Sequence, residues 1–387
     1  MLKDEVLFAW WSLSSTQGIG SIALNKIREQ LPSLSNLLEY SAQDLILLGL
    51  KPQLAHTWAD NNRLESSQNA FLIAGWQKIQ AWCKQAECGL LMPDDEFYPD
   101  SLKALRDAPL FLFYRGDPQL LQQASIAIVG SRNPSHYGRE QAFSIAQQLA
   151  TSDWHVISGL AIGIDGEAHK GTLNNASGIG KGKTIAVLGS GLAEIYPKRH
   201  QALAQQIVEQ GGLLISEHLP DEKALAQNFP RRNRLVSGIS QGTLVIEAAL
   251  KSGSLITARL AAEQGREVFA LPGAVINPLS RGCHQLIKEG ANLVESGADI
   301  LALLNSDLSL SQDELAFAQQ EDLFESPVPP QLDDLAKLIY DALDVVPTAI
   351  DSLVNRTGLA VADIAQHLIL MELKGQVSQV PGGYVRA

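Results

Sequence analysis

At 387 residues, about 150 per domain implies two or three domains, and 45% hydrophobic against 19% charged residues excludes general disorder. Thirty Lys and Arg against 42 Asp and Glu leave a net charge of −12, so the chain as a whole repels phosphate. Any nucleic-acid site must then be a local basic focus and not a broad basic face. Cys83, Cys88 and Cys283 are an odd count at no metal-like spacing, which predicts free thiols in a reducing compartment. The start, MLKDEVLFAWW, lacks a basic-then-apolar leader pattern, and no apolar run approaches the roughly 18 residues of a membrane span. A cytoplasmic chain is expected.

Residues 1–85 read as a helical domain, with apolar spacing at Leu34, Leu37, Leu38, Leu45, Leu48 and Leu50 and breaks at Pro32 and Gly49. Within it, Gly18-Ile19-Gly20 followed by Ile22, Leu24 and Ile27 is SAM- or helix-hairpin-helix-like. Such turns present backbone N–H groups to a DNA phosphate. With only Lys26 and Arg28 basic nearby, a plain Gly turn between packed helices is the stronger reading.

Between 125 and 273 the pattern changes. Short apolar runs (125–130, 155–159, 184–190, 213–218, 243–248 and 267–273) alternate with helical stretches such as 138–149 and 201–209. β-Branched runs of this length, ending in Gly or Ser, suit strands buried on both faces. The region 86–304 is therefore expected to be α/β, a doubly wound, Rossmann-like, mostly parallel sheet. Residues 305–330 are polar, acidic and Pro-terminated, a linker pattern. In 331–387, helices over 335–343, 348–355 and 361–372 precede a hairpin at 377–380 and 384–385, which is the winged-helix order.

Several chemical motifs fail on inspection. SGIGKGKT (177–184) has Ser177 where a phosphate loop needs its first Gly, and Lys183-Thr184 leads into a strand instead of opening a helix. GSGLAE (189–194) has Glu194 in place of the third Gly of a dinucleotide fingerprint. Asp165 and His169, one turn apart, read as a local cap or packed pair. No Ser/His/Asp or metal constellation has convincing spacing, so no cofactor is expected.

The strand ends are more consistent. Gly130-Ser131-Arg132, the run from Gly159 through Gly163 to Asp165, Gly189-Ser190-Gly191 and Lys251-Ser252-Gly253-Ser254 all fall at the carboxyl edge of a parallel sheet, where ligands bind. Glycine lets an anion approach the backbone, and helix starts attract negative charge. NFPRRNR (228–234) adds Arg231, Arg232 and Arg234 with Asn233 among them and no acid. Arginine forks grip phosphate, and Phe229 suits stacking on a base. The competing reading has Asn233 and Arg234 bracing the loops and Phe229 in the core; Arg132 and the cluster together favour phosphate binding.

YPDSLKALRDAPLFLFYRGD (98–117), AIVGSRNPSHYG (127–138), ISGLAIGIDGEAHKG (157–171), FPRRNRLVSGIS (229–240), SGSLITARLAAEQGREVFALPG (252–273) and GCHQLIKEGA (282–291) closely resemble DNA-processing protein A, the DprA/Smf family. The resemblance implies a non-catalytic protein that binds single-stranded DNA entering the cell in natural transformation, dimerises and loads a RecA-type recombinase. By motif it places Gly130, Ser131, Arg132, Phe229, Arg231 and Arg234 on the DNA. Many relatives carry a lysine shortly before the FP motif; here stand Ala226, Gln227 and Asn228, and the nearest lysine is Lys223. For the homodimer, 283–304 offers Leu286, Ile287, Leu293, Val294, Ile300, Leu301 and Leu304 as surplus apolar surface. The rival reading is a nucleotide-cleaving phosphoribohydrolase, whose signature resembles PGGxGT followed by Glu. Gly242-Thr243 and Glu247 are one residue too far apart for it, no PGG precedes them, and Pro381-Gly382-Gly383 lies in the tail. A third reading is an adaptor that holds a free nucleotide.

Overall fold

The computed structural model describes residues 4–62, 69–174, 180–306, 334–343, 347–374, 376–380 and 382–386. The chain forms two compact units, 1–307 and 308–387.

The first unit opens with five helices: α1 (Asp4–Ser15), α2 (Ser21–Gln30), α3 (Ala42–Leu47), α4 (Pro52–Ala59) and α5 (Ala70–Cys83). Their starts carry local signals. Ser41 and Asp44 form a reciprocal capping box on α3, Pro52 opens α4, and the Asn69 side chain accepts the Phe71 and Leu72 N–H groups ahead of α5. Indoles dominate the core, and most of their N–H groups find a carbonyl: Trp10 donates to Leu34 O at 2.9 Å and Trp58 to Ala9 O at 3.1 Å, while the buried Trp76 Nε1 has no partner among the described residues. This core continues without a break into Phe113, Ala186, Leu188, Leu203 and Leu214 of the following region. Residue 85 thus marks a change of secondary structure within one shared core. Asn25 on α2 is buried and donates to Ala108 O at 3.0 Å, so the helix after the Gly18–Gly20 turn is docked on the protein itself.

The rest of this unit is a nine-stranded sheet: β1 (Cys88–Leu91), β2 (Leu112–Gly116), β3 (Ser125–Gly130), β4 (His155–Ser158), β5 (Thr184–Val187), β6 (Leu213–Ser216), β7 (Gly242–Ile246), β8 (Glu267–Ala270) and β9 (Asn292–Leu293). The helices among them are α6 (Asp100–Lys103), α7 (His136–Thr151), α8 (Ile164–Leu173), α9 (Gln201–Glu209), α10 (Asn228–Ile239), α11 (Ser254–Glu263), α12 (Arg281–Lys288) and α13 (Gly297–Ser306). The spatial order is β1-β2-β6-β5-β4-β3-β7-β8-β9. Strands β3 to β9 pair in parallel, while β2 runs antiparallel to both β1 and β6. All residues of β4, β5, β6 and β7 are buried, which explains their uninterrupted apolar runs.

From β3 the chain steps outward through β4, β5 and β6, then returns along α10 to the opposite side of β3. The strand order reverses between β3 and β7, and in open α/β sheets the crevice at such a reversal is where ligands bind. Lys183 enters β5, as expected for a non-phosphate loop; the 177–179 part of that motif lies outside the described residues. Of the seven apolar residues at 286–304 expected to be surplus, Leu286, Val294, Ile300 and Leu304 are buried within the unit, and Leu293 is 51% exposed. The three cysteines are free.

The second unit has α14 (Asp334–Ala342), α15 (Ile350–Thr357), α16 (Val361–Leu373) and the hairpin β10 (Val377–Val380) and β11 (Gly383–Arg386). Ile339, Leu343, Leu353, Ile364, Leu368, Met371 and Val377 fill its own core. Gly358, at φ +70°, ends α15 in the left-handed conformation that glycine adopts without a Cβ penalty. The expected linker at 305–330 lies, from 307 onward, outside the described residues. No helix among the described residues is long and apolar enough to cross a membrane.

Candidate nucleic-acid interface

The loop after β3 carries Gly130, Ser131 and Arg132 to the carboxyl edge. Gly130 has no room for a Cβ, which would strike Ile246 O on β7 and come within 2.7 Å of Ile164. Gly163, at φ +85°, faces this loop; a Cβ there would collide with Ser131 O, and Ile164 N donates to that oxygen at 3.1 Å. The start of α8 is thereby clamped against the backbone that presents Arg132.

Asp165, in the first turn of α8, accepts Gly159 N at 3.1 Å and Ala161 N at 3.3 Å and so shapes the glycine loop after β4. Burial raises its pKa, against the pull of Arg232 and those two N–H groups. Arg232 projects from α10 into the same place, 5% exposed, donating to Gly159 O at 2.7 Å and to Val187 O. Burial draws its guanidinium down to about 10, with Asp165 opposing, so it stays cationic at neutral pH. Its Nε has no partner among the described residues.

Arg132, Gly159, Tyr196, Arg199, Phe229 and Arg232 are among the residues lining a concave pocket of about 150 Å³ here. The Arg132 guanidinium lies 5.8 Å from the Phe229 ring centre, and Tyr196 meets that ring at 5.4 Å with a 46° tilt. Arg132, Arg199 and Arg231 are exposed. Buried Arg232 and exposed Arg132 and Arg199 thus line one pocket, inside a chain of net charge −12.

Arg234 is placed differently. It is ion-paired with Asp107 at 2.8 Å and Glu217 at 2.7 Å, its side chain is 10% exposed, and it also donates to Asp107 O at 2.9 Å. Burial alone would lower its pKa; Glu217 and Asp107 outweigh that and hold it above the ordinary value. Its charge is neutralised internally, so it ties α10 to the ends of β6 and the 104–110 segment. Asn233 is half-buried on α10, outside the pocket lining. Ser252, Gly253 and Ser254 lie at the start of α11, also outside the lining, with the two hydroxyls 2.6 Å apart.

Two residues of this edge that the motifs did not single out carry weight, and Glu247 takes a role other than the one weighed for it. Tyr196 and Arg199 come from YPKRH (196–200), an aromatic followed by three basic-type residues, which is a readable signal. Glu247, at φ +51° beyond β7, is buried and accepts Ser135 N at 2.7 Å, Ser135 Oγ at 2.5 Å and Asn277 Nδ2 at 3.2 Å. Ser135 in turn caps α7 by accepting Gly138 N at 3.1 Å, so Glu247 pins the far end of the Arg132 loop. Asp165 and His169 do not bond each other: buried His169 sits 2.6 Å from Thr184 Oγ1 through Nδ1.

Residues 89–305 match the family model described as DNA recombination-mediator protein A, and 325–383 match a DprA winged helix domain. The chain belongs to the DprA/Smf family. Protein Smf of Escherichia coli is 46% identical over 309 residues, 79% of each chain. The DprA protein of Bacillus subtilis is 42% identical over 304 residues, 78% of this chain and 90% of that one. Among solved structures, DNA processing protein A of Streptococcus pneumoniae matches with a TM-score of 0.64 and 33% identity, covering 78% of this chain and 98% of that one. That of Helicobacter pylori, described for its single-stranded DNA binding mode, matches at 0.50 and 30%, covering 57% and 97%. The main DprA/Smf match ends where the first structural unit ends, so the pocket lies wholly inside it.

Proposed function

We propose that this DprA/Smf protein binds single-stranded DNA at the Arg132–Phe229–Arg232 pocket and hands it to a RecA-type recombinase during natural transformation, acting as a cytoplasmic homodimer without catalysis. The observation that carries the reading is the pocket itself: exposed Arg132 and Arg199 and buried Arg232 line it together with Phe229 and Tyr196, the Arg132 guanidinium lying over the Phe229 ring, with exposed Arg231 next in sequence to Arg232. Arg132, Arg199 and Arg231 take phosphates in this reading, Arg232 forms the cationic floor, and Ser131, Gly130 and Gly163 supply the close backbone approach. Arg234 and Asn233 serve as braces of α10, and Ser252 to Ser254 extend the edge past β7. The Helicobacter pylori relative, described for its single-stranded DNA binding mode, supports the choice of ligand.

The reversed strand order supports a doubly wound, Rossmann-like sheet, and the five leading helices a SAM-like region built onto it. For the homodimer, half-exposed Leu293 and partly buried Ile287 are among the apolar side chains of 283–304 that the unit's own core leaves in part uncovered. The phosphoribohydrolase alternative is not favoured: Glu247, the carboxylate it would need, is committed to Ser135 and Asn277.

An electrophoretic shift with single- and double-stranded DNA of equal length, and competition by mononucleotides, tests the reading. Retardation of the single strand that mononucleotides do not reverse is expected. Equal retardation of both forms, or full competition by mononucleotides, overturns it.

A further inference from the structure

We infer that the ring on which a DNA base stacks is Tyr196 and that Phe229 is the buttress behind it; this rests on the single-strand reading above. The sequence points to Phe229, but its surroundings leave that ring little to offer. The Arg132 guanidinium lies over it at 5.8 Å and Tyr196 packs on it at 5.4 Å. Its edge stands so close to Gly189 that a Cβ there would sit 3.1 Å from Cδ1. Phe229 is half-buried, so these neighbours leave a base less of its surface than Tyr196 offers.

Tyr196 has the complementary properties. It lines the pocket rim, and half of it (51%) is exposed to solvent. The segment that carries it is fixed at both ends: upstream, Gly191 N donates to Glu222 O and Ala193 N to Pro220 O, each at 2.8 Å; downstream, His200 N donates to Pro197 O and His200 Nδ1 to Leu160 O, each at 2.9 Å. An aromatic ring held in place, tilted against Phe229 and half exposed in the same pocket lining as Arg132 and Arg199, loses little freedom when a base covers it. A phosphate on the arginines would put its own base within reach of this ring, and stacking tolerates any base because every base has a π-face.

The test compares the full-length protein with Tyr196→Ala, Tyr196→Phe and Phe229→Ala, each bound to an oligothymidine strand and to an abasic strand of equal length. Tyr196→Ala should weaken the thymidine complex by about 5- to 100-fold, the span of base–aromatic stacking, with an unchanged salt slope. Its affinity for the abasic strand should match the wild type, because no base is present to lose. Tyr196→Phe should bind both strands as the wild type does. Phe229→Ala should weaken both, because the buttress positions Arg132 as well. Wild-type thymidine affinity in Tyr196→Ala, or equal losses on both strands, overturns the inference while leaving the single-strand reading intact. Failure of the wild type to bind either strand overturns both.

Discussion

Two parts of this chain have the architecture of a nucleic-acid binder, the carboxyl edge of the sheet and the C-terminal winged helix, and their arginines are used in opposite ways. At the sheet edge Arg132, Arg199 and Arg231 are exposed; Arg132 and Arg199 line the pocket together with buried Arg232. In the tail the arginines are structural. Arg386 lies 4.9 Å over the Tyr340 ring and donates to Tyr340 O and Asp341 O at 3.0 Å, while Arg356 donates to Ala342 O at 2.8 Å. Both cap the carboxyl end of α14. Residues 321–387 hold ten acids and four bases, a net of −6 that is half the whole chain's excess. Helix α16, the one a winged helix would lay in a groove, has no Lys or Arg from Val361 to Met371. A shared architecture thus says little about a ligand until the charges are traced to their partners.

The largest expected effect comes from the buried cation. Arg232→Ala removes the donor to Gly159 O and Val187 O and the positive charge that favours the buried Asp165 carboxylate; a buried acceptor left unpaired costs about 1–3 kcal/mol. Chemical denaturation followed by tryptophan fluorescence should show it, and a wild-type midpoint would mean that Arg232 does not hold the pocket floor. Next in size is the double change Arg132→Ala and Arg231→Ala. Three phosphate contacts give a log–log salt slope near −2, and one remaining contact about −0.7, since each contact on a single strand contributes roughly −0.7. Melting should be unaltered, because both side chains are exposed. Arg234→Ala should do the reverse, lowering the melting temperature and leaving the slope alone; a reduced slope with normal melting would return Arg234 to the DNA.

Acid should weaken the first unit. Thr184 Oγ1 donates to Val156 O at 3.0 Å, so it accepts from His169 Nδ1–H, and Nε2 is left buried without a partner. Burial above all, then His200 and Arg232, depress the His169 pKa to about 3. The unfolded chain takes up this proton near 6.5, the folded chain only near 3, so the stability due to neutral His169 is full above 6.5 and drains as pH falls toward 3. His169→Asn keeps an N–H for Thr184 and should flatten the pH dependence of the denaturation midpoint between 6.5 and 3; an unchanged slope would refute the assignment. The smallest effect belongs to the tail. Truncation after Asn305 should leave single-strand affinity within a few-fold, and a hundredfold loss would reverse the comparison between the two regions.

Much of the sheet was legible because its strands are buried on both faces. The run at 125–130 coincides with β3, and the other five expected runs each contain a strand or overlap all but one of its residues. β1 and β2 escaped because each is short, with partly exposed residues in CGLL and LFYRG. The absence of a core boundary near 85 was likewise hidden, since it depends on Phe113 and Leu214 joining one cluster with the leading helices, a long-range packing that local pattern does not record. At the site, glycine spacing pointed to Arg132, Gly163 and the FPRRNR cluster. Nothing local distinguished Arg232 from Arg234: what separates them is Asp107, 127 residues away, and Glu217, 17 away.

Glu247 joins two loops through one carboxylate, since Ser135 belongs to the loop that presents Arg132 and Asn277 to the loop whose tip exposes Val275 and Ile276. Neither loop can shift far without breaking a bond that the other also relies on. Work done on one is therefore registered by the other, and the exchange is symmetrical: tension that a nucleic acid applied at Arg132 would stiffen the Val275–Ile276 tip by as much as a partner gripping that tip would stiffen Arg132.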